Sequence, residues 1–306
     1  MRVVTLLPAA TEIVVALGEA GSLAGISHEC DHPPEVLGLP RVTATRIDPA
    51  GAGRAIDAEV RRLSQTGEPV IAVDGDLLRR LEPDLIVTQD LCEVCAVADG
   101  VVHRLAAVMS PAPAVLALQG RTLEGITGDI LAVAGALGRQ DAGRALVGEL
   151  ERRLGRLRAR APALRSRVVC VEWLEPLYLA GHWVPELVDA AGGIDVGAAP
   201  GSHSTRRSWS EVAALRPDVL VVMLCGFGVD RARRELSALA DPAALDVLAA
   251  VPTWVMDGNA YTSRSGPRVV DGAELLAGAL LGRAAAGIVR WPPELARAGA
   301  PASAAR

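Results

Sequence analysis

Five short stretches combine residue types that ligate, stack or exchange protons. They are His28-Glu29-Cys30-Asp31-His32, Cys92-Glu93-Val94-Cys95, the trio Tyr178, His182 and Trp183, then Cys225-Gly226-Phe227-Gly228, and Ser263-Arg264. The cysteine pair at 92 and 95 has the spacing of half a zinc site or of a dithiol redox centre, and it also reads as two loop cysteines beside a ligand. No second Cys-x-x-Cys follows. His28 and His32 are four apart, but Pro33 and Pro34 come next, so the two do not form a helical metal pair. The type of any metal is left unknown. Thiols with Glu172, His182 or His203 as acid–base partners outline an enzyme or a metal-binding protein as an alternative. No Gly-x-Gly-x-x-Gly or Gly-x-Ser-x-Gly sequence follows a strand, which argues against a dinucleotide fold and an α/β hydrolase.

Each cluster comes after a short apolar run, where an open α/β sheet binds its ligands. Strands are expected at Val3–Leu7, Leu23–Ser27, Val70–Val73, Leu85–Thr88 and Ala114–Leu118, then at Arg167–Trp173, Val219–Leu224 and Thr253–Asp257. Helical patterns lie between them, at Ala10–Leu17, Ala52–Ser64, Asp76–Leu81 and Gly100–Val108. The middle of the chain, Thr122–Leu137 and Asp141–Arg160, reads as two consecutive helices. The second carries a charge density that reads as a solvated face or as one long helix joining two lobes, and the strand series that stops before it and starts again after it favours the joining helix. The expected division is an N-terminal α/β lobe over residues 1–138, a bridging helix over 139–164, a C-terminal α/β lobe over 165–290 and a tail over 291–306.

The chain has 306 residues and a net charge of −5, and all 31 of its basic residues are arginine. Without lysine there is neither a Schiff base nor a P-loop lysine. The acidic balance offers nothing general to nucleic acid, and no apolar run is long enough to insert in a membrane. All eight aromatic residues lie at or beyond Trp173. An aliphatic first lobe explains that skew by accident; a stacking surface for a large flat ligand in the second lobe explains it by function. Five cysteines do not make a secreted disulfide framework.

Six passages carry a family resemblance. Arg2-Val3-Val4-Thr5-Leu6-Leu7-Pro8-Ala9-Ala10-Thr11-Glu12-Ile13, Gly25-Ile26-Ser27-His28-Glu29-Cys30-Asp31 and Arg41-Val42-Thr43 resemble the opening of vitamin B12-binding proteins. These are the substrate-binding subunits of ABC importers for cobalamin, and they are related to ferric-siderophore binders. Leu81-Glu82-Pro83-Asp84 and Leu215-Arg216-Pro217-Asp218 look like that family's helix-to-strand passages, and Pro185–Gly193 is similar to its helix ending in Gly-Gly. The resemblance implies two Rossmann-like lobes joined by one long helix, the helical-backbone class of periplasmic-binding-protein-like folds. It implies a small-molecule ligand, cobalamin or another corrinoid, held without catalysis and with no catalytic cofactor. A haem or ferric chelate is an alternative.

By position, the ligand residues implied are Pro8, Ala9, His28, Glu29, Cys30 and Asp31, with Cys92 and Cys95, in the first lobe. Trp173, Tyr178, His182, Trp183, Cys225, Phe227 and Arg264 are expected from the second half. An ABC permease is the implied partner if the protein is exported, docked through Asp76 and Glu211; both acids also read as ordinary helix N-terminal carboxylates. Neither a leader nor a lipid-anchor cysteine is visible, so a cytoplasmic branch of the family is expected, or an extracytoplasmic one if the chain was trimmed.

Overall fold

A computed structural model describes residues 1–90 and 99–292. Cys92 and Cys95 lie outside the described residues. The chain divides into two compact units: Met1–Arg153 together with Arg264–Pro267, and Leu154–Ser263 together with the residues from Arg268 onward.

The first unit runs β1 (Val3–Thr5), α1 (Pro8–Ala16), β2 (Leu23–Gly25), β3 (Thr43–Thr45), α2 (Gly53–Thr66), β4 (Ile71–Val73), α3 (Gly75–Arg80), β5 (Leu85–Gln89), α4 (Asp99–Ala107), β6 (Ala114–Leu118) and α5 (Leu123–Ala136). Strands β2, β1, β5 and β6 form a parallel sheet in that order. The apolar run near residue 70 joins a different element: β4 pairs antiparallel with β3 in a two-stranded ribbon. Ile71 is buried and Ala72 and Val73 are half-buried, so β4 is covered less fully than a central parallel strand. Helix α6 (Gln140–Arg158) begins in the first unit and ends in the second.

The second unit runs β7 (Arg167–Leu174), β8 (Leu177–Leu179), α7 (Val184–Ala190), β9 (Ile194–Asp195), β10 (Thr205–Arg206), α8 (Trp209–Ala214), β11 (Val219–Val222), α9 (Val229–Ser237), α10 (Pro242–Ala250), β12 (Thr253–Met256), α11 (Gly258–Tyr261), α12 (Val269–Leu280) and β13 (Ile288–Trp291). Its sheet is mixed, in the order β10-β8-β7-β11-β12-β13, with β9 beside β7. The central trio β7, β11 and β12 is parallel, so the turns after all three leave from one edge.

The two Leu-x-Pro-Asp passages do the same work in each unit. Glu82 and Arg216, each preceding the proline, hold left-handed φ values of 43° and 47°. The aspartate that follows accepts the backbone N–H of an arginine on the neighbouring strand: Asp84 from Arg2 at 2.6 Å and Asp218 from Arg167 at 2.8 Å. Each arginine side chain donates back to carbonyls at the preceding helix end, Arg2 to Leu81 and Arg167 to Leu215 and Arg216. These carbonyls have no partner within their helix, and the arginine cation suits that end of the helix.

Candidate functional site

In the first unit the loop Ser27–Asp31 follows β2 and is fixed along its length. The Ser27 hydroxyl accepts from Thr43 at 3.1 Å, and the His28 backbone N–H donates to the Thr43 hydroxyl at 2.9 Å. The His28 ring meets that hydroxyl through Nδ1 at 2.7 Å. Arg41 donates to the carbonyls of Ser27 and Cys30. Burial, helped by the Arg41 charge, lowers the His28 pKa and favours the neutral imidazole. Glu29 is exposed as a residue, yet crowding desolvates its carboxyl and raises its pKa against the pull of Arg264.

Cys30 is 2% exposed and shares a 3.0 Å contact with the Thr11 hydroxyl, which in turn lies 2.6 Å from that of Thr5. Burial pushes its thiol up to about 11, which leaves on the order of 0.01% thiolate at neutral pH. Cys30 is therefore a packed thiol. It is a poor nucleophile in this setting.

Arg264 is 5% exposed. Its Nη1 donates to Glu12 Oε1 at 2.9 Å and to Asp31 Oδ1 at 2.6 Å, and its Nη2 donates to the Glu29 carbonyl at 3.4 Å. Burial alone would depress the guanidinium pKa; the Asp31 and Glu12 carboxylates outweigh it and hold the pKa above its ordinary value. Glu12 sits 5% exposed in the otherwise apolar α1. Breaking such a buried pair by removing one member costs about 3–5 kcal/mol, because the other charge stays buried. Gly266, two residues further on, packs against Ala9 beside Pro8 at the start of α1.

The second unit places Trp173, Tyr178 and Phe227 at the edge where its parallel strands end, while Trp209, Trp254, Tyr261 and Trp291 belong to α8, β12, α11 and β13. Trp173 and Tyr178 are directly opposed on β7 and β8, so they share a face of the sheet. Phe227, in the turn after β11, lies 5.3 Å from Trp173 in a tilted pair. The Arg231 guanidinium stacks on the other ring at 3.6 Å from the Phe227 centre. After β8 the chain turns at Gly181, where a Cβ would lie 2.7 Å from the His203 carbonyl carbon and closer still to the Ser202 carbonyl oxygen. That contact sets the His182 ring 5.5 Å from His203, edge to face, and 5.9 Å from Trp183. His182 pays for its place with a left-handed φ of 53°. The buried indole N–H groups of Trp173 and Trp183 have no hydrogen-bond partner among the described residues, two buried donors that a bound ligand could satisfy.

Cys225 is half-buried in the turn before Phe227, and Cys170 is buried within β7 with its pKa raised by burial. No group of three or more His, Cys, Asp or Glu able to hold a metal ion occurs among the described residues. No helix among them is long and apolar enough to cross a membrane. Asp76 lies in the first turn of α3 and pairs with Arg79. Glu211 closes a capping box on α8, accepting from Ser208 N at 2.8 Å and Ser208 Oγ at 2.9 Å, and it pairs with Arg207.

Residue-type reasoning passed over Glu12, Arg41 and Arg231 as site residues. Glu12 had a readable signal: an acid between Ala9-Ala10 and Ile13-Val14 in a buried helix requires a cationic partner. Arg41 and Arg231 act on carbonyls and on a ring face, which no spacing rule reports.

A two-lobed ligand-binding class is what this edge geometry and these paired α/β units define, and the family comparison agrees. The chain matches the periplasmic binding protein family over residues 3–255 and belongs to it. No curated protein matches it significantly. Among solved structures it is similar to a periplasmic heme-binding protein of Pseudomonas aeruginosa, at 20% identity and a TM-score of 0.68, covering 93% of this chain and 94% of that one. A periplasmic heme-binding protein of Roseiflexus sp. RS-1 follows at 23% identity and 0.65, over 92% and 98%. The periplasmic vitamin B12-binding protein of Vibrio cholerae gives 20% and 0.64, over 92% and 96%.

Proposed function

We propose that this protein binds cobalamin or a related corrinoid and does no chemistry on it. The observation that carries this reading is the aromatic edge of the second unit, where Trp173, Tyr178 and Phe227 stand at the ends of adjoining strands. A flat macrocycle buries its faces against such rings, and its peripheral amides take hydrogen bonds from loop groups. Pro8, Ala9 and the Ser27–Asp31 loop are the candidate ligand contacts of the first unit, and His182 and Trp183 are those of the second. Delivery to an ABC permease through Asp76 and Glu211 belongs to the same reading.

A second reading, haem as the ligand, draws on the His182–His203 pair and on the guanidinium of Arg231 over Phe227. An imidazole suits haem iron and an arginine suits carboxylates. Incubation with cyanocobalamin and with hemin, followed by desalting and a visible spectrum, separates the two. Retention of cyanocobalamin near one per chain is expected, with Trp173→Ala or Tyr178→Ala weakening binding about 10- to 100-fold, equivalent to ~1–3 kcal/mol. Retention of hemin alone supports the second reading, and retention of neither overturns both.

A further inference from the structure

Four residues from late in the sequence, Arg264–Pro267, belong to the first unit although the chain on either side of them belongs to the second. The one cation they carry there is buried, and it reaches three groups at once: the Glu12 carboxylate on α1, the Asp31 carboxylate and the Glu29 carbonyl. Two of these groups lie in the Ser27–Asp31 loop and the third on the helix after β1. We propose that Arg264 is a positioning residue that sets the conformation of the Ser27–Asp31 loop by tying it to α1. It does not touch the ligand itself. The proposal rests on the reading that this loop meets the ligand.

The geometry separates positioning from simple charge neutralisation. One cation of any shape satisfies Glu12. The fork of Arg264 serves both carboxylates through Nη1 and reaches the Glu29 carbonyl through Nη2, a fixed spread of donors that a single ammonium on a flexible stem does not reproduce. Arg41 holds the loop through the Ser27 and Cys30 carbonyls, so losing Arg264 releases the Glu29 carbonyl and the Asp31 carboxylate in particular.

The test uses the full chain and three variants: Arg264→Lys, Arg264→Met, and Glu12→Met combined with Arg264→Met. The readouts are amide hydrogen exchange, thermal midpoint, and affinity for cyanocobalamin and hemin by visible titration. Arg264→Met is expected to speed exchange at Glu29–Asp31 at least tenfold and to weaken binding by a similar factor, with exchange in β7 and β11 unchanged. Arg264→Lys should recover most of the thermal midpoint but only part of the affinity. The double variant, which removes both buried charges, should recover the midpoint while its loop stays fast and its binding weak. Unchanged loop exchange in Arg264→Met overturns the proposal, whether or not affinity falls. Recovery of affinity together with stability in the double variant overturns it as well. If the wild-type chain binds neither probe, the functional reading fails by itself, and loop exchange still decides the role of Arg264.

Discussion

Asp195 shows how far one side chain in this fold is pushed from its solution behaviour. Its Oδ1 accepts the backbone N–H groups of Gly197 at 2.8 Å and Ala198 at 3.0 Å, while its buried Oδ2 has no partner. Burial raises its pKa to about 6, against the effect of those two hydrogen bonds. A carboxyl whose folded pKa lies above its unfolded value binds its proton more tightly when folded. The second unit is therefore expected to lose stability as pH rises from about 4 through 6, and to level off above that. Asp195→Asn keeps an oxygen for Gly197 and Ala198 and removes the charge. It should stabilise the protein by about 1–2 kcal/mol at pH 7.5, allowing for the residue's partial exposure, and by nothing measurable below pH 4. Urea titrations at the two pH values check this, and a gain of equal size at both would refute the assignment.

At the scale of elements, the turn at Gly181 decides where a histidine pair stands. The backbone N–H of His182 donates to the Ser202 carbonyl at 2.6 Å, and Gly201 donates back to the His182 carbonyl at 2.8 Å. Gly181→Ala forces those two strands of chain apart. Overpacking of this kind costs about 1–3 kcal/mol, so the thermal midpoint should fall by about 3–10 °C. Hemin affinity should fall with it if the pair meets the ligand; a variant with wild-type stability would mean that the turn relaxes freely. Apolar runs made β1, β5, β7, β11 and β12 legible in the sequence because interior parallel strands are buried on both faces, and the edge strands β2 and β6 were legible by apolar residue type alone. The short strands β3, β8, β9 and β10 escaped that reading, being two or three residues long and partly exposed, and β13 is an antiparallel edge with a charged Arg290. Likewise Tyr178, Trp173 and Phe227 could be assigned to strand ends from the sequence, whereas the stacking of Arg231 on Phe227 depends on the start angle of α9 and could not.

For the whole molecule, two buried thiols serve as internal reporters, Cys30 in the first unit and Cys170 in the second. Pulse alkylation along a urea gradient, in a Cys92→Ser, Cys95→Ser, Cys225→Ser background, follows each unit by its own cysteine. Arg264→Met is expected to expose Cys30 at lower urea than in wild type and to leave the Cys170 transition in place; coincident shifts would show that the units unfold as one. The late segment that completes the first unit also sets an order of events in synthesis. Arg264, the partner of Glu12, leaves the ribosome some 250 residues after it. At ~5–20 residues per second, the first unit waits on the order of ten seconds or more with a carboxylate that it cannot yet bury as a charge. In that interval α1 either keeps Glu12 in water or carries it protonated, so the N-terminal half reaches its final packing only after most of the C-terminal half has been made.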